Sequence, residues 1–104
     1  MELMTEEISQ MAQEQFPHGQ DMDQMVIARF HDAQGSWSWY VINQNPDDLD
    51  SIFGIVHGTQ VEMGIFSLQE LQTYEGSFGL QVVRDIYFKP ITANELWERL
   101  NTFN

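Results

Sequence analysis

The first 24 residues show a helical hydrophobic period. Ile8, Ala12 and Phe16 stand one turn apart, and Thr5 precedes them where an N-cap hydroxyl would accept a backbone N–H. Residues 17–19, Pro-His-Gly, end this pattern. We therefore predict a short amphipathic helix that ends near Phe16, followed by a polar linker that reaches about residue 24.

From Met25 onward the hydrophobic period changes to two, which is typical of strands. Five stretches show this period, at residues 25–30, 36–41, 51–56, 61–66 and 80–88. Asp32-Ala-Gln-Gly35 predicts the first turn, and His57-Gly58-Thr59-Gln60 predicts a tight hairpin in which glycine is free to adopt a positive φ. The first four strands are expected to be antiparallel.

Two capping boxes predict further helices. In Ser67-Leu-Gln-Glu70 and in Thr92-Ala-Asn-Glu95, the hydroxyl and the carboxylate each accept a backbone N–H at a helix start. The first box predicts a short helix over about residues 68–74, and residues 76–79, Gly-Ser-Phe-Gly, break it. The second predicts a C-terminal helix whose inward-facing side chains are Leu96, Trp97, Leu100 and Phe103.

These elements follow the order α-β-β-β-β-α-β-α and lack a βαβ rhythm. The order predicts an α+β fold, in which an antiparallel sheet of about five strands carries an N-terminal helix, a short helix after the hairpin and a C-terminal helix. Residues 1–24 are interpreted as an acidic, Met-rich helix and linker, and residues 25–104 as a single α+β domain.

The charge of the chain gives its strongest indication of function. Sixteen acidic and four basic residues in 104 give a formal charge of −12. Six of the acids, and no lysine or arginine, lie in residues 1–24, so a charge-driven function is expected there. The four basic residues are too few to release counterions from phosphates, which argues against nucleic acid and anionic membranes as direct ligands.

The remaining composition bears on location. No run of 18 apolar residues is present, and the start carries acids where a signal peptide carries lysine or arginine. The chain contains no cysteine, which excludes disulfides and thiolate sites and is consistent with a reducing compartment. A cytoplasmic location is therefore expected, without membrane spanning.

Candidates for catalysis are few, and none forms a known motif. His18, His31 and His57 have no metal-ligand spacing, and no serine lies in a GxSxG elbow. The acids at positions 47, 48 and 50 follow a proline, but they lack the calcium-loop pattern, so a solvated turn is favoured over weak cation binding. We predict no enzyme activity, no cofactor, no metal site and no catalytic residue.

Two residues on predicted strands have both a structural and a functional interpretation. Alternation places Arg84 on the core-side face of its strand, and Asp85 on the other. A structural ion pair with a neighbouring helix is favoured for Arg84, and recognition of a carboxylate or phosphate is the alternative. Trp37 and Trp39 share a face and are expected in the core, whereas Tyr40 points the other way, where a binding surface is conceivable.

Four segments of the second half carry a resemblance. They are Phe53-Gly54, Glu62-Met-Gly-Ile-Phe-Ser-Leu-Gln-Glu-Leu71, Gly76-Ser-Phe-Gly-Leu80 and Arg84-Asp-Ile-Tyr-Phe-Lys-Pro90. In this order they resemble a family of small bacterial proteins catalogued only as a domain of unknown function. That family is often carried on plasmids and other mobile elements, and its pattern reads ELGxxSLSEL followed by RGPxGLxxERDxxFxP.

The match spans residues 37–90 and leaves the acidic N-terminal segment outside the shared pattern. The chain also departs from the family where Glu75-Gly76-Ser77 replaces Arg-Gly-Pro. The resemblance implies a shared fold and supplies no established activity.

The favoured hypothesis is a non-enzymatic interaction protein whose acidic surface engages a basic protein partner, such as a DNA-binding protein or defence nuclease that it inhibits. The alternative is a small accessory binding module, or a homodimer, whose acidity only serves solubility. The candidate partner-binding residues are Glu6, Glu7, Glu14, Asp21, Asp23, Tyr40, Asp47, Asp48, Asp50 and Arg84.

Overall fold

The computed structural model describes residues 2–76 and 79–102. Its elements are α1 (Glu6–Gln15), β1 (Met25–Val26), β2 (Ala28–Asp32), β3 (Ser38–Asn45), β4 (Asp48–His57), β5 (Val61–Ser67), α2 (Leu68–Thr73), β6 (Val82–Arg84), β7 (Ile91–Thr92) and α3 (Ala93–Thr102). A 3-10 turn, Phe16–His18, follows α1. The expectations for Ser77, Phe78 and Phe103 lie outside the described residues.

The predicted α+β class is confirmed. An antiparallel five-stranded sheet has the order β5-β4-β3-β2-β6, and β1 and β7 form a separate antiparallel pair. All three predicted caps are present: Thr5 accepts the Ile8 N–H at 3.1 Å, Ser67 accepts the Glu70 N–H at 3.1 Å and Thr92 accepts the Glu95 N–H at 3.2 Å.

Helices cover both faces of the sheet. On one face, α1 and α2 share a hydrophobic cluster with the strands, which includes Ala12, Phe30 and Leu71. On the other face, α3 packs on a second cluster, which includes Ile42 and Leu96. Because successive residues of a strand point to opposite faces, the central strand β3 buries side chains on both sides.

Helix α1 is anchored to the sheet rather than standing apart from it. Leu3 is fully buried in the same cluster as Ala12. The Gln15 side-chain amide donates to the carbonyl of Ile42 at 2.6 Å and to that of Met25 at 2.9 Å. The register of β3 against β4 shifts at Ile42, and Gln15 satisfies the carbonyl there. The N-terminal helix and the sheet therefore share one core.

Residues 19–24, predicted as a polar linker, form a loop closed by two buried amides. Asn43 donates to the Gly19 carbonyl at 2.8 Å and to the Gln24 side-chain oxygen at 3.1 Å, while Gln24 donates to the Gly19 carbonyl at 2.8 Å. The Gln24 carbonyl then accepts the Ala93 N–H at 2.8 Å, which joins the loop to the start of α3.

The predicted fifth strand, residues 80–88, is wrong in extent. Only β6 pairs, with β2, and the chain then turns, because the Asp85 carboxylate accepts the Tyr87 N–H at 2.9 Å and the Asp85 carbonyl accepts the Phe88 N–H at 3.3 Å. Ile86 is 66% exposed and Tyr87 85% exposed. The chain re-enters a sheet at β7, which pairs with β1.

The predicted hairpin at residues 57–60 joins β4 and β5, but Gly58 does not adopt a positive φ and Trp37 is not in the core. The glycines with positive φ among the described residues are Gly19, Gly35 and Gly79, so Gly58 does not use that freedom. Instead, the Trp37 indole lies directly over Gly58, where a Cβ would collide with the ring. Trp37 is 41% exposed and stacks on Trp39 with the ring centroids 6.0 Å apart, so it covers the hairpin rather than filling the core.

Candidate functional site

The two helices on one side of the sheet, α1 and α2, expose carboxylates and contain no lysine or arginine. We define the acidic face by α1, α2 and the start of β4, and its residues are Glu6, Glu7, Glu14, Asp48, Asp50 and Glu70. All are exposed except Asp50, which is half-buried. α1 and α2 lie on the same side of the sheet because they pack on a common cluster, and Asp50 contacts the start of α2.

The outer side of α1 forms a shallow polar depression of about 640 Å³ lined by Glu6, Ser9, Gln10, Gln13 and Glu14. Beside it, Glu7 and Glu14 flank Met11 at a helical spacing of four and three residues, and Met11 is 36% exposed. An apolar, flexible side chain between two carboxylates therefore faces outward from α1.

Asp50 belongs to the acidic face, but its carboxylate also forms hydrogen bonds that hold α2 in place. Its carboxylate accepts the Gln69 N–H at 2.6 Å and the Ser67 hydroxyl at 2.7 Å, and these two hydrogen bonds, the former the stronger, hold the pKa of Asp50 below its usual value. Ser67 in turn caps α2. The carboxylate thus fastens the start of α2 to β4.

The other predicted acids lie apart from this face or at its edge. Asp21 accepts the Asp23 N–H at 2.9 Å, and Asp23 accepts the Asn94 side-chain amide at 3.1 Å, which places the pair beside the start of α3. Asp47 lies in the turn between β3 and β4, where its N–H donates to the Asn45 side chain at 2.9 Å. The prediction of a solvated turn is wrong for Asp48 and Asp50, which belong to β4.

Arg84 has a structural role in this fold. It shares the face of Phe30, and its Nη1 donates to the carbonyls of Glu2 at 2.6 Å and Leu3 at 3.0 Å. These hydrogen bonds fasten β6 to the segment before α1. On the opposite face, Arg29 forms an ion pair with Asp85, with Nη1 and Oδ2 3.2 Å apart.

Tyr40 does not lie on an open surface. Its side chain is only 7% exposed, because α3 and the segment before β7 cover that face of the sheet. The ring packs against Phe88 with the centroids 6.0 Å apart. Tyr40 therefore points opposite to Trp39, as predicted, but its ring lies under α3 rather than on an open surface.

Tyr40 instead lines a groove that collects most of the positive charge of the chain. Three of the four basic residues, Arg29, Lys89 and Arg99, line this space of about 510 Å³ beside α3, which we call the cationic groove. The rest of its lining consists of Met25, Tyr40, Phe88, Pro90, Ile91, Thr92, Glu95 and Leu96.

Sequence reasoning missed this groove because its cations are distant along the chain. Arg29 meets residues 85–90 only through the pairing of β2 with β6 and the turn at Asp85, and Arg99 reaches it through the packing of α3. Alternation predicts that Arg29 and Asp85 point away from the cluster that contains Phe30. That they lie side by side follows only from the strand order of the sheet.

Within residues 2–76 and 79–102, no three histidine, aspartate or glutamate side chains converge to hold a metal ion. No helix in the described part of the chain is long and apolar enough to cross a membrane.

Comparison with known proteins adds the family. No curated protein and no solved structure matches the chain. A family model described as "Protein of unknown function (DUF2958)" matches residues 2–101, which includes the acidic helix that the resemblance over residues 37–90 left outside. The chain therefore belongs to this family of unknown function.

Proposed function

We propose that this protein is a non-enzymatic interaction protein whose acidic face engages a basic protein partner. The observation that carries the proposal is the uneven placement of the basic residues, since α1 and α2 carry carboxylates and no lysine or arginine. The acidic face presents carboxylates from α1, α2 and β4, whereas three of the four basic residues lie in the groove on the side of α3. Such a placement steers a basic partner toward one side of the molecule.

The anchoring of α1 supports this role. Hydrogen bonds from Gln15 and burial of Leu3 hold the helix on the sheet, so its outer side chains are presented without prior ordering of the backbone. Met11 between Glu7 and Glu14 offers an adaptable apolar contact inside a charged surround.

The charge density limits the kind of engagement. The longest dimension of the molecule is 39 Å, over which duplex DNA presents about 23 phosphate charges. The acidic face has a small fraction of that number. We therefore propose contact with a basic patch of a DNA-binding protein or defence nuclease in the cytoplasm, rather than imitation of a full DNA duplex.

The test is capture of partners from a host lysate at low and at high salt, with two matched charge reversals. Glu14→Lys alters the acidic face, and Glu98→Lys makes the same charge change on the exposed side of α3. The proposal expects a basic partner that is captured at low salt, is released at high salt and is lost with Glu14→Lys alone. Capture that both variants retain equally contradicts it.

A second candidate is an accessory module or homodimer whose acidity only keeps it dispersed. The observation that favours it is the presence of exposed carboxylates outside the acidic face, at Glu62, Glu75, Glu95 and Glu98. Sedimentation equilibrium distinguishes the two, since a stable dimer without any salt-sensitive partner supports this candidate.

A further inference from the structure

We propose that the cationic groove binds a small organic anion through phosphate or carboxylate oxygens. The occupant would place its anionic group between Arg29, Lys89 and Arg99 and an apolar part against Phe88. This site lies on the opposite side of the sheet from the acidic face, so it goes beyond the proposed partner-binding function and does not depend on it.

The base of the groove is a fixed guanidinium. Arg29 donates from Nε at 3.1 Å and Nη2 at 2.9 Å to the Ser38 hydroxyl, and from Nη1 to Asp85 at 3.2 Å. Asp85 is itself held by the Tyr87 N–H at 2.9 Å. An arginine has five N–H donors, so one on each Nη is left over by these contacts. Arg29 is thus oriented before any ligand arrives.

The rim of the groove carries two adaptable cations. Arg99 pairs with Glu95 at 2.9 Å, and the two side chains are 63% and 54% exposed. An exposed pair of this kind contributes little to stability, so a ligand oxyanion can replace Glu95. Within the described residues, Lys89 has no carboxylate within 4.0 Å. Both side chains are able to close over a bound anion.

The walls supply the apolar part of the site. The Tyr40 ring is buried against Phe88, and Met25, 37% exposed, lies at the groove mouth with Ile91. The volume of about 510 Å³ is within the range of roughly 300–1,000 Å³ that is usual for small-molecule sites. A bare inorganic ion would leave most of this space unfilled, which favours an organic anion.

The net negative charge of the whole molecule favours a small anion over a nucleic acid as the ligand of the groove. Three cations face Glu95 and Asp85 in and under the groove, a local excess of positive charge on a chain of net charge −12. At physiological salt the screening length is about 8 Å, so a ligand inside the groove is attracted by the local cations. A nucleic acid would extend over the acidic surroundings and be repelled.

The test is a titration of the full chain that is monitored through its NMR amide chemical shifts. Phenyl phosphate and benzoate are the two anionic probes, and benzyl alcohol is the neutral one. Saturable shifts confined to residues around Arg29, Tyr40 and Lys89 are expected with at least one anion and none with the alcohol. The tighter anion identifies phosphate or carboxylate as the preferred group. Failure of both anions, or shifts on α1 instead, overturns the proposal.

Two groove variants and one matched control sharpen the test. Lys89→Gln should weaken binding by about fivefold, because one charged contact is lost. Gln72→Glu, an exposed change on α2 that alters the net charge by the same amount, should leave the affinity unchanged. Glu95→Gln should tighten binding, because it frees Arg99. Equal weakening by Lys89→Gln and Gln72→Glu would mean a nonspecific charge effect and contradict the site.

Discussion

At the scale of single residues, position 54 requires glycine because the backbone of the neighbouring strand lies close to it, and not because of a turn. A Cβ built there collides with the Tyr40 carbonyl oxygen of the neighbouring strand, beside the irregular register of β3 and β4. Its cross-strand partner, Gly64, has no atom within 4 Å of such a Cβ. The two glycines face each other in the ladder, but only Gly54 is enclosed.

We therefore expect Gly54→Ala to lower the free energy of unfolding by about 2 kcal/mol or more, because the backbone of β3 must move. Gly64→Ala, the matched control, should change it by less than about 0.5 kcal/mol. Urea denaturation measures both. Equal effects of the two substitutions would contradict the close packing at Gly54.

Two acids with lowered pKa make stability depend on pH in the acid range. For Asp50, the hydrogen bonds from the Gln69 N–H and the Ser67 hydroxyl lower the pKa. For Asp32, burial raises the pKa, but hydrogen bonds from the Ser36 hydroxyl and N–H and from other backbone N–H groups together outweigh it, so the pKa is also lowered. A lowered folded-state pKa stabilises the protein above the unfolded-state value and loses that effect as pH falls through the folded-state value.

The corresponding prediction uses Asp50→Asn, with Asp47→Asn in the adjoining turn as the control. Asp50→Asn should destabilise the protein near neutral pH, and the difference from wild type should shrink as pH falls below the ordinary Asp pKa of 3.8. Urea unfolding over this pH range measures it. A difference that stays constant with pH would show that the Asp50 carboxylate does not stabilise α2.

At the scale of elements, the sequence predicts the starts of α1, α2 and α3 and the presence of β2, β3, β4 and β5, because caps and period-two alternation are local signals. It does not predict that residues 25–30 divide into β1 and β2, which pair in different sheets. It does not predict the end of β6, since the turn depends on the hydrogen bond that the Asp85 carboxylate accepts from the Tyr87 N–H. The sequence also does not show whether helices cover one face of the sheet or both. Alternation places Tyr40 opposite Trp39, but only the packing of α3 shows that Tyr40 is buried.

The same limit applies to the candidate sites. The acidic residues of α1 lie within nine positions of one helix, and Glu7 and Glu14 are two turns apart, so their common surface is predictable from spacing alone. The cationic groove requires contacts between residues near positions 29, 89 and 99, which no local pattern contains.

The attachment of α1 can be tested through Gln15. Gln15→Ala should lower the free energy of unfolding by about 1–3 kcal/mol, because the Ile42 carbonyl loses its partner at the register shift. Gln10→Ala, on the exposed side of the same helix, should cost less than about 0.5 kcal/mol. Thermal or urea unfolding compares them, and equal costs would mean that Gln15 does not hold the helix on the sheet.

At the scale of the whole molecule, the net charge of −12 is unevenly placed. One side of the sheet presents α1 and α2 with their carboxylates, and the other gathers three cations in a groove beside α3. The family match over residues 2–101 includes both sides. We therefore propose that the acidic face attracts the partner and that the groove binds an anion.

The most direct test of the central claim is the association rate constant with the captured partner, measured against ionic strength. For the wild type we expect the rate to fall about tenfold or more between low and physiological salt, as in electrostatically steered association. Glu7→Gln/Glu14→Gln should slow association at low salt and flatten this dependence. A rate that does not change with salt, or that is the same in the double variant, would contradict the assignment of partner binding to the acidic face.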